Sequence, residues 1–429
     1  MKKIFASLVV LVALSAGIVS CGSSSSSQKQ SGFSYRAFVS NPLFPNGTLN
    51  APVVNVVNAA NDLLSPTVIS LLTNIAQPNI MAEAPNLKYT AVYSPAGNTI
   101  AVLDNGTEAV GSVPGSNTAI PTIGLPGTTE SFFIAGDSAT AYAAVPNAPV
   151  PGQTPGAVTV MNITTGTVTA TIPVPSAHYV VGSPDGNTLL VFSDGSDAVT
   201  EISTILIGTN ENPVTGVISG FDRPVWAIFN GPTAYVFDCG AECGGTHAGI
   251  STFTPGSSAP SALLPVSGAT YGLLSAGILY VAGTPPGTAC GPGTAAPTCG
   301  TLTLVNTNSM AVTSGPVLIT DGYHNRMQIS GNGQLFVGAR SCSNVDSSTE
   351  VRGCLSIYNT GTAAVVIPPA IGDATGIQPI AGRNVVYVCQ GGTFEIFDTT
   401  TDAFLVQSAA TVIVGQSFDV KLVDPPDTQ

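Results

Sequence analysis

The stretch HYVVGSPDGNTLLVFSDGSDAVTEI, residues 178–202, sets a four-residue turn between two short apolar runs. In SPDG, Ser183 to Gly186, proline can fix the first bend and glycine is free to take positive φ. The flanking runs, Tyr179 to Val181 and Leu189 to Phe192, are too short and too β-branched for helices, so the unit reads as two paired strands. It recurs. Residues 89–113, YTAVYSPAGNTIAVLDNGTEAVGSV, match it nearly position for position, with their first strand at Tyr89, and weaker copies begin at Ser131, Val225, Tyr271, Met327 and Gly376. The first strands lie 42 to 56 residues apart. Further short runs follow each hairpin, as in GAVTVMNITTGTVTATIPV and GTFEIFDTTTDAFLV, and supply a third and a fourth strand.

Four antiparallel strands per period of about 40 to 50 residues is the signature of a β-propeller blade. The 47 glycines and 33 prolines in 429 residues exclude long helices nearly everywhere and agree with it. The ends of the array set its closure. VIVGQSFDVKLVDPP offers a first strand without partners, whereas FSYRAFVSNP and APVVNVVNAANDLL read as a second and a third strand without a first. Joined, the two fragments make one more blade, which removes the open sheet edges of a linear array. The expected fold is all-β: a propeller of eight four-stranded blades, or seven if a weak repeat is miscounted, spanning 33–429 and closed by both chain ends.

The combination of SPDGNTLLVF, a third strand such as FEIFDTTT or VTVMNITTG, and a closing VTATIPV resembles the YVTN-type propeller repeats of bacterial surface and secreted proteins. The resemblance covers nearly all of residues 33–423. Ahead of the repeats, two lysines and an apolar run form an export signal over residues 1–20. Ile18, Val19, Ser20 and Cys21 resemble the lipobox of bacterial lipoproteins. By that resemblance Cys21 is the lipidated first residue of the mature chain, and GSSSSSQKQSG behind it is a polar tether ending at residue 32. Gly22 in place of aspartate then implies an outer-membrane lipoprotein of the cell envelope.

Without Lys2 and Lys3 the chain has nine basic and 24 acidic residues, a poor surface for nucleic acid or anionic lipid. Contact with the membrane is therefore expected through the lipid anchor alone, with the propeller a monomer. Six cysteines fall as near neighbours in three loops between second and third strands: Cys239 with Cys243, Cys290 with Cys299, Cys342 with Cys354. In an oxidising envelope these pairs read as disulfides. The competing reading of CGAECGGTH as a metal knuckle with His247 lacks an evident fourth ligand. Cys389 is left over in an apolar strand and reads as a small buried hydrophobe.

The first strand of each blade lines the central channel, so residues near the strand starts converge on one mouth. These are Lys88, Glu130, His178, Arg223, Tyr271 and Asp321, then His324, Arg326, Asp373 and Asp419, with Lys421 deeper. A polar funnel results. It is either a wet channel that binds nothing specific or a pocket with Arg223 and Arg326 as anion clamps, His178 or His324 titrating, and Trp226 stacking on the ligand. Asp194 and Asp197 read as solvated turn charges. No phosphate loop, dinucleotide glycine pattern, HExxH or nucleophile elbow stands in a credible setting, so no cofactor, metal or catalytic residue is expected. The sequence thus favours a binding or interaction module for a protein or glycan partner, acting through the channel mouth or the cystine-stapled rim loops. A hydrolase or oxidoreductase of lactonase or quinoprotein type in the funnel is the alternative, on fold analogy alone. Purely structural scaffolding is a third possibility.

Overall fold

The computed structural model describes residues 29–46, 49–71, 77–405 and 412–425. The export signal and Cys21 lie outside them. Eight antiparallel blades stand around one axis, seven of four strands and one, blade 2, whose outer strand is split into Ala109–Val110 and Ile123–Gly124. Blade 1 holds both ends of the chain: Val420–Leu422 is its inner strand, followed outward by Arg36–Asn46, Leu49–Asn58 and Leu63–Ser70. The inner strands of blades 2 to 8 are Met81–Glu83, Ser131–Ile134, Ala177–Gly182, Pro224–Asn230, Tyr271–Ser275, Tyr323–Ile329 and Ala374–Pro379. Each touches the next, and the ring shuts where Ala374–Pro379 meets Val420–Leu422.

The expected closure is present, with Ala37 opposite Leu422, Phe38 opposite Lys421 and Val39 opposite Val420. Gly376 permits it, because a Cβ there would stand 2.8 Å from the Asp419 Cα. Blade 2 corrects the phase of one repeat. Tyr89–Ser94 is its second strand, not its first. The resemblance between residues 89–113 and 178–202 is one of hairpins, and any adjacent pair of strands in a blade makes a hairpin.

Why the strands read as unbroken apolar runs follows from the packing. Leu189 and Val191 pack in the cluster between blades 3 and 4, while Leu190 and Phe192 pack in the cluster between blades 4 and 5. Both faces of the strand are buried, so the polar half of the usual alternation disappears. Each of the eight interfaces between neighbouring blades has such a cluster. A fully buried Leu, Val or Phe contributes about 1.5–3 kcal/mol. Cohesion is therefore spread around the ring instead of concentrated in one core.

Cys239–Cys243, Cys290–Cys299 and Cys342–Cys354 are bonded, each between the second and third strands of its blade. Three such bonds place the folded chain in an oxidising, extracytoplasmic setting. Cys389 is free and buried. Antiparallel strands put the starts of the inner strands and these cystine loops on one face of the ring, the mouth face. The opposite face carries the starts of the second strands, and residues 29–35 run into the ring there. Ser31 donates its backbone N–H to Glu108 Oε2 at 2.6 Å, and Lys29 Nζ lies 3.0 Å from Asp424 Oδ1.

Candidate functional site

Register slips near the starts of four inner strands shape the channel wall. Pairing runs from Ala177–Ser193 to Tyr179–Phe192, from Pro224–Asp238 to Trp226–Phe237, from His324–Ala339 to Arg326–Gly338, and from Ala374–Gln390 to Gly376–Cys389. The extra residues are His178, Val225, Asn325 and Thr375. A bulge of this kind re-aims the side chains around it. His178 and Tyr179 accordingly both line the mouth, and Val225 with Trp226 and Asn325 with Arg326 both line the channel.

At the mouth, blades 3, 4, 5 and 7 and the Cys243 loop enclose a cavity of about 350 Å³. His178 donates from Nδ1 to Asp194 Oδ1 at 2.5 Å and from Nε2 to Glu130 Oε2 at 3.3 Å. Arg340 Nη2 reaches the same Glu130 oxygen at 2.7 Å, and the Tyr179 hydroxyl donates to it at 3.4 Å. Burial opposes protonation of His178, but hydrogen bonds to Asp194 and Glu130 outweigh it and lift its pKa to about 9. The hydrogen bond from His178, acting against burial and joined by Arg340, holds the Glu130 carboxyl well below the usual carboxylate range. At neutral pH the His178 imidazolium and the Glu130 carboxylate are therefore charged together. On the adjacent rim Arg223 Nε lies 3.5 Å from Asp197 Oδ1. Arg223 holds φ at +56°, a left-handed conformation that costs a non-glycine residue about 1–2 kcal/mol. Gly322 takes positive φ at the same place before the inner strand of blade 7.

The structure brings Glu130, His178 and Arg223 to the mouth cavity, and Trp226, Tyr271, Arg326, Asp419 and Lys421 to the channel beneath it. His324 does not reach either. It is fully buried, donates from Nε2 to the Thr320 carbonyl at 3.0 Å, and burial drives its pKa down to about 4. The bulge explains this: in a seven-residue strand the slip falls one residue later than in blade 4, so Asn325 occupies the position that a simple alternation gives to His324. Lys88 is exposed before the second strand of blade 2, over the Tyr89 ring. Asp321 binds Ser343 and Thr298, and Asp373 accepts the Ser341 N–H, so both fasten loops. Asp194 and Asp197 are the solvated turn charges the sequence suggests, and from that turn they also pair with His178 and Arg223.

Arg340 was not foreseen. It ends the second strand of blade 7, Gln334–Arg340, and reaches Glu130 of blade 3 across the ring. Its one legible signal is position, since a basic residue between a second strand and a cystine loop must stand on the mouth face. Among the described residues no group of three or more His, Cys, Asp or Glu is arranged to hold a metal ion, and the Cys239–Cys243 bond removes the knuckle reading.

Fold and site together define an eight-bladed β-propeller with a charged, half-open mouth. No family model and no curated sequence matches the chain. It is similar in structure to the dihydro-heme d1 dehydrogenase NirN in complex with DHE, with TM-score 0.62, 9% identity, and coverage of 91% of this chain and 75% of that one. A eukaryotic initiation factor gives TM-score 0.51 at 11% identity, covering 91% and 98%. Apo AztD from Citrobacter koseri gives 0.50 at 12%, covering 90% and 97%. At these identities the likeness is one of fold.

Proposed function

We propose that this protein is a lipid-anchored cell-envelope propeller, built of YVTN-like repeats and acting as a monomeric binding module whose mouth takes a small polar ligand or a polar group of a protein or glycan. The observation that carries the reading is the meeting of Glu130, His178, Asp194, Arg223 and Arg340, from four blades, around one cavity beside a cystine loop. A wet channel needs polar walls, but it does not need a charge network that spans the ring from Glu130 to Arg340. Because each carboxylate is already paired, the site is preorganised for recognition. With Cys21 as the lipid anchor, the tether joins the face opposite the mouth, so the mouth is presented away from the membrane.

The test is native mass spectrometry of the full protein extracted from its envelope in detergent. The wild type is expected to retain a bound mass that Glu130→Gln and Arg340→Ala release. Equal retention by all three, or none by the wild type, would overturn the reading. Hydrolysis of gluconolactone that both substitutions abolish would move the protein to the hydrolase class.

A further inference from the structure

Beneath the mouth lies a second chamber of about 200 Å³ with a different character. Tyr179, Trp226, Tyr271 and Tyr323, from blades 4, 5, 6 and 7, all line it. Tyr179 meets Trp226 edge-on at 5.8 Å, and Trp226 meets Tyr271 at 5.3 Å. Arg326 lines the same chamber. Its Nε and Nη1 donate only to backbone carbonyls, Thr375 O at 3.2 Å and Asn325 O at 2.9 Å. Among the described residues no carboxylate forms a salt bridge with it. The chamber's other cation, Lys421, is matched by Asp419 at 3.0 Å, and the chamber's other acid, Glu130, is held by His178 and Arg340. The charge of Arg326 is thus the one in the chamber without a counterion. A partly buried guanidinium without a counterion is costly unless an anion completes it.

We propose that the chamber is a binding site for a small planar aromatic carboxylate, its carboxylate on Arg326 and its ring among Tyr179, Trp226 and Tyr271. The guanidinium fork matches a carboxylate in plane, and the four aromatic walls suit a flat apolar ring. The volume is below the roughly 300–1,000 Å³ of drug-sized pockets, which limits the guest to about one ring. This deepens the binding-module reading and rests on it, since the mouth is the way in.

Trp226 is the sole tryptophan of the chain, so intrinsic emission reports from the chamber wall itself. Benzoate titrated into the full protein is expected to change that emission saturably, with benzamide and acetate at least about tenfold weaker, as loss of one charge-assisted contact or of ring stacking predicts. Arg326→Gln should weaken benzoate by about tenfold or more, and Arg326→Lys by less. Equal binding of benzoate and benzamide, no benzoate response, or an Arg326→Gln protein that binds as the wild type does would overturn the proposal. If Arg326→Gln fails to fold, the comparison of the three probes on the wild type decides. A mouth ligand retained without any benzoate response would leave the binding-module reading standing and sink this one.

Discussion

Arg36 and Asp424, 388 residues apart, are joined by two hydrogen bonds, Nε to Oδ2 at 2.7 Å and Nη2 to Oδ1 at 2.8 Å. Arg36 Nη1 also reaches Glu108 of blade 2 at 2.7 Å, and its side chain is 1% exposed. One guanidinium therefore ties the first strand of the chain, the segment after the last, and the neighbouring blade. Removing it strands two carboxylates in a poorly solvated place. Arg36→Ala should lower the unfolding free energy by about 3–5 kcal/mol, read as a shift in the urea midpoint. A loss below about 1 kcal/mol would show that the network is solvated and marginal.

His178 gives the pH dependence. Its folded pKa of about 9 lies above the unfolded value of 6.5, so its pairing with Asp194 and Glu130 stabilises the fold fully below pH 6.5 and is lost as pH rises through about 9. The His178 ring protons, followed by NMR, should titrate with a midpoint near 9. Arg340→Ala frees Glu130 to face His178 alone and should not lower that midpoint. A midpoint at or below 6.5 in the wild type would contradict the charged network.

Arg223 poses stability against function. Glycine at φ +56° relieves the strain, and the exposed pair with Asp197 contributes little. Arg223→Gly should raise stability by about 1 kcal/mol in urea denaturation while weakening retention of the mouth ligand. A destabilised Arg223→Gly protein would mean that the arginine holds the rim together.

The Cys342–Cys354 bond closes the largest of the three cystine loops, with a sequence separation of 12. Loss of both sulfurs as Cys342→Ser with Cys354→Ser should cost about 3 kcal/mol, from loop closure in the unfolded chain together with the burial of both residues. The Cys239–Cys243 pair, with a separation of 4, should cost less when removed the same way. Denaturant midpoints of the two double variants, compared side by side, check the order.

The propeller was legible because turn chemistry and paired apolar runs are local, and because both faces of each strand are buried between blades. The complementary ends were legible for the same reason: a lone first strand and a lone second and third strand have one economical solution. The phase of blade 2 was not, since a hairpin looks alike wherever it sits in a blade. Bulges hid the channel wall. His324 and Asn325 exchange roles through a one-residue slip that no side-chain pattern announces, and Arg340 meets Glu130 across 210 residues, a relationship that only ring geometry creates. Asp194 and Asp197 are turn charges as the sequence suggests, but their pairing with His178 and Arg223 was hidden because those partners come from the starts of inner strands, outside the turn.

The shared blade also governs how the molecule comes into being. The inner edge of Arg36–Asn46 waits for a partner made nearly four hundred residues later, so until Val420–Leu422 is in place the ring is an open arc with a bare strand edge. A chain arrested or cut before Val420 would keep that edge exposed and could lend it to the corresponding strand of another molecule.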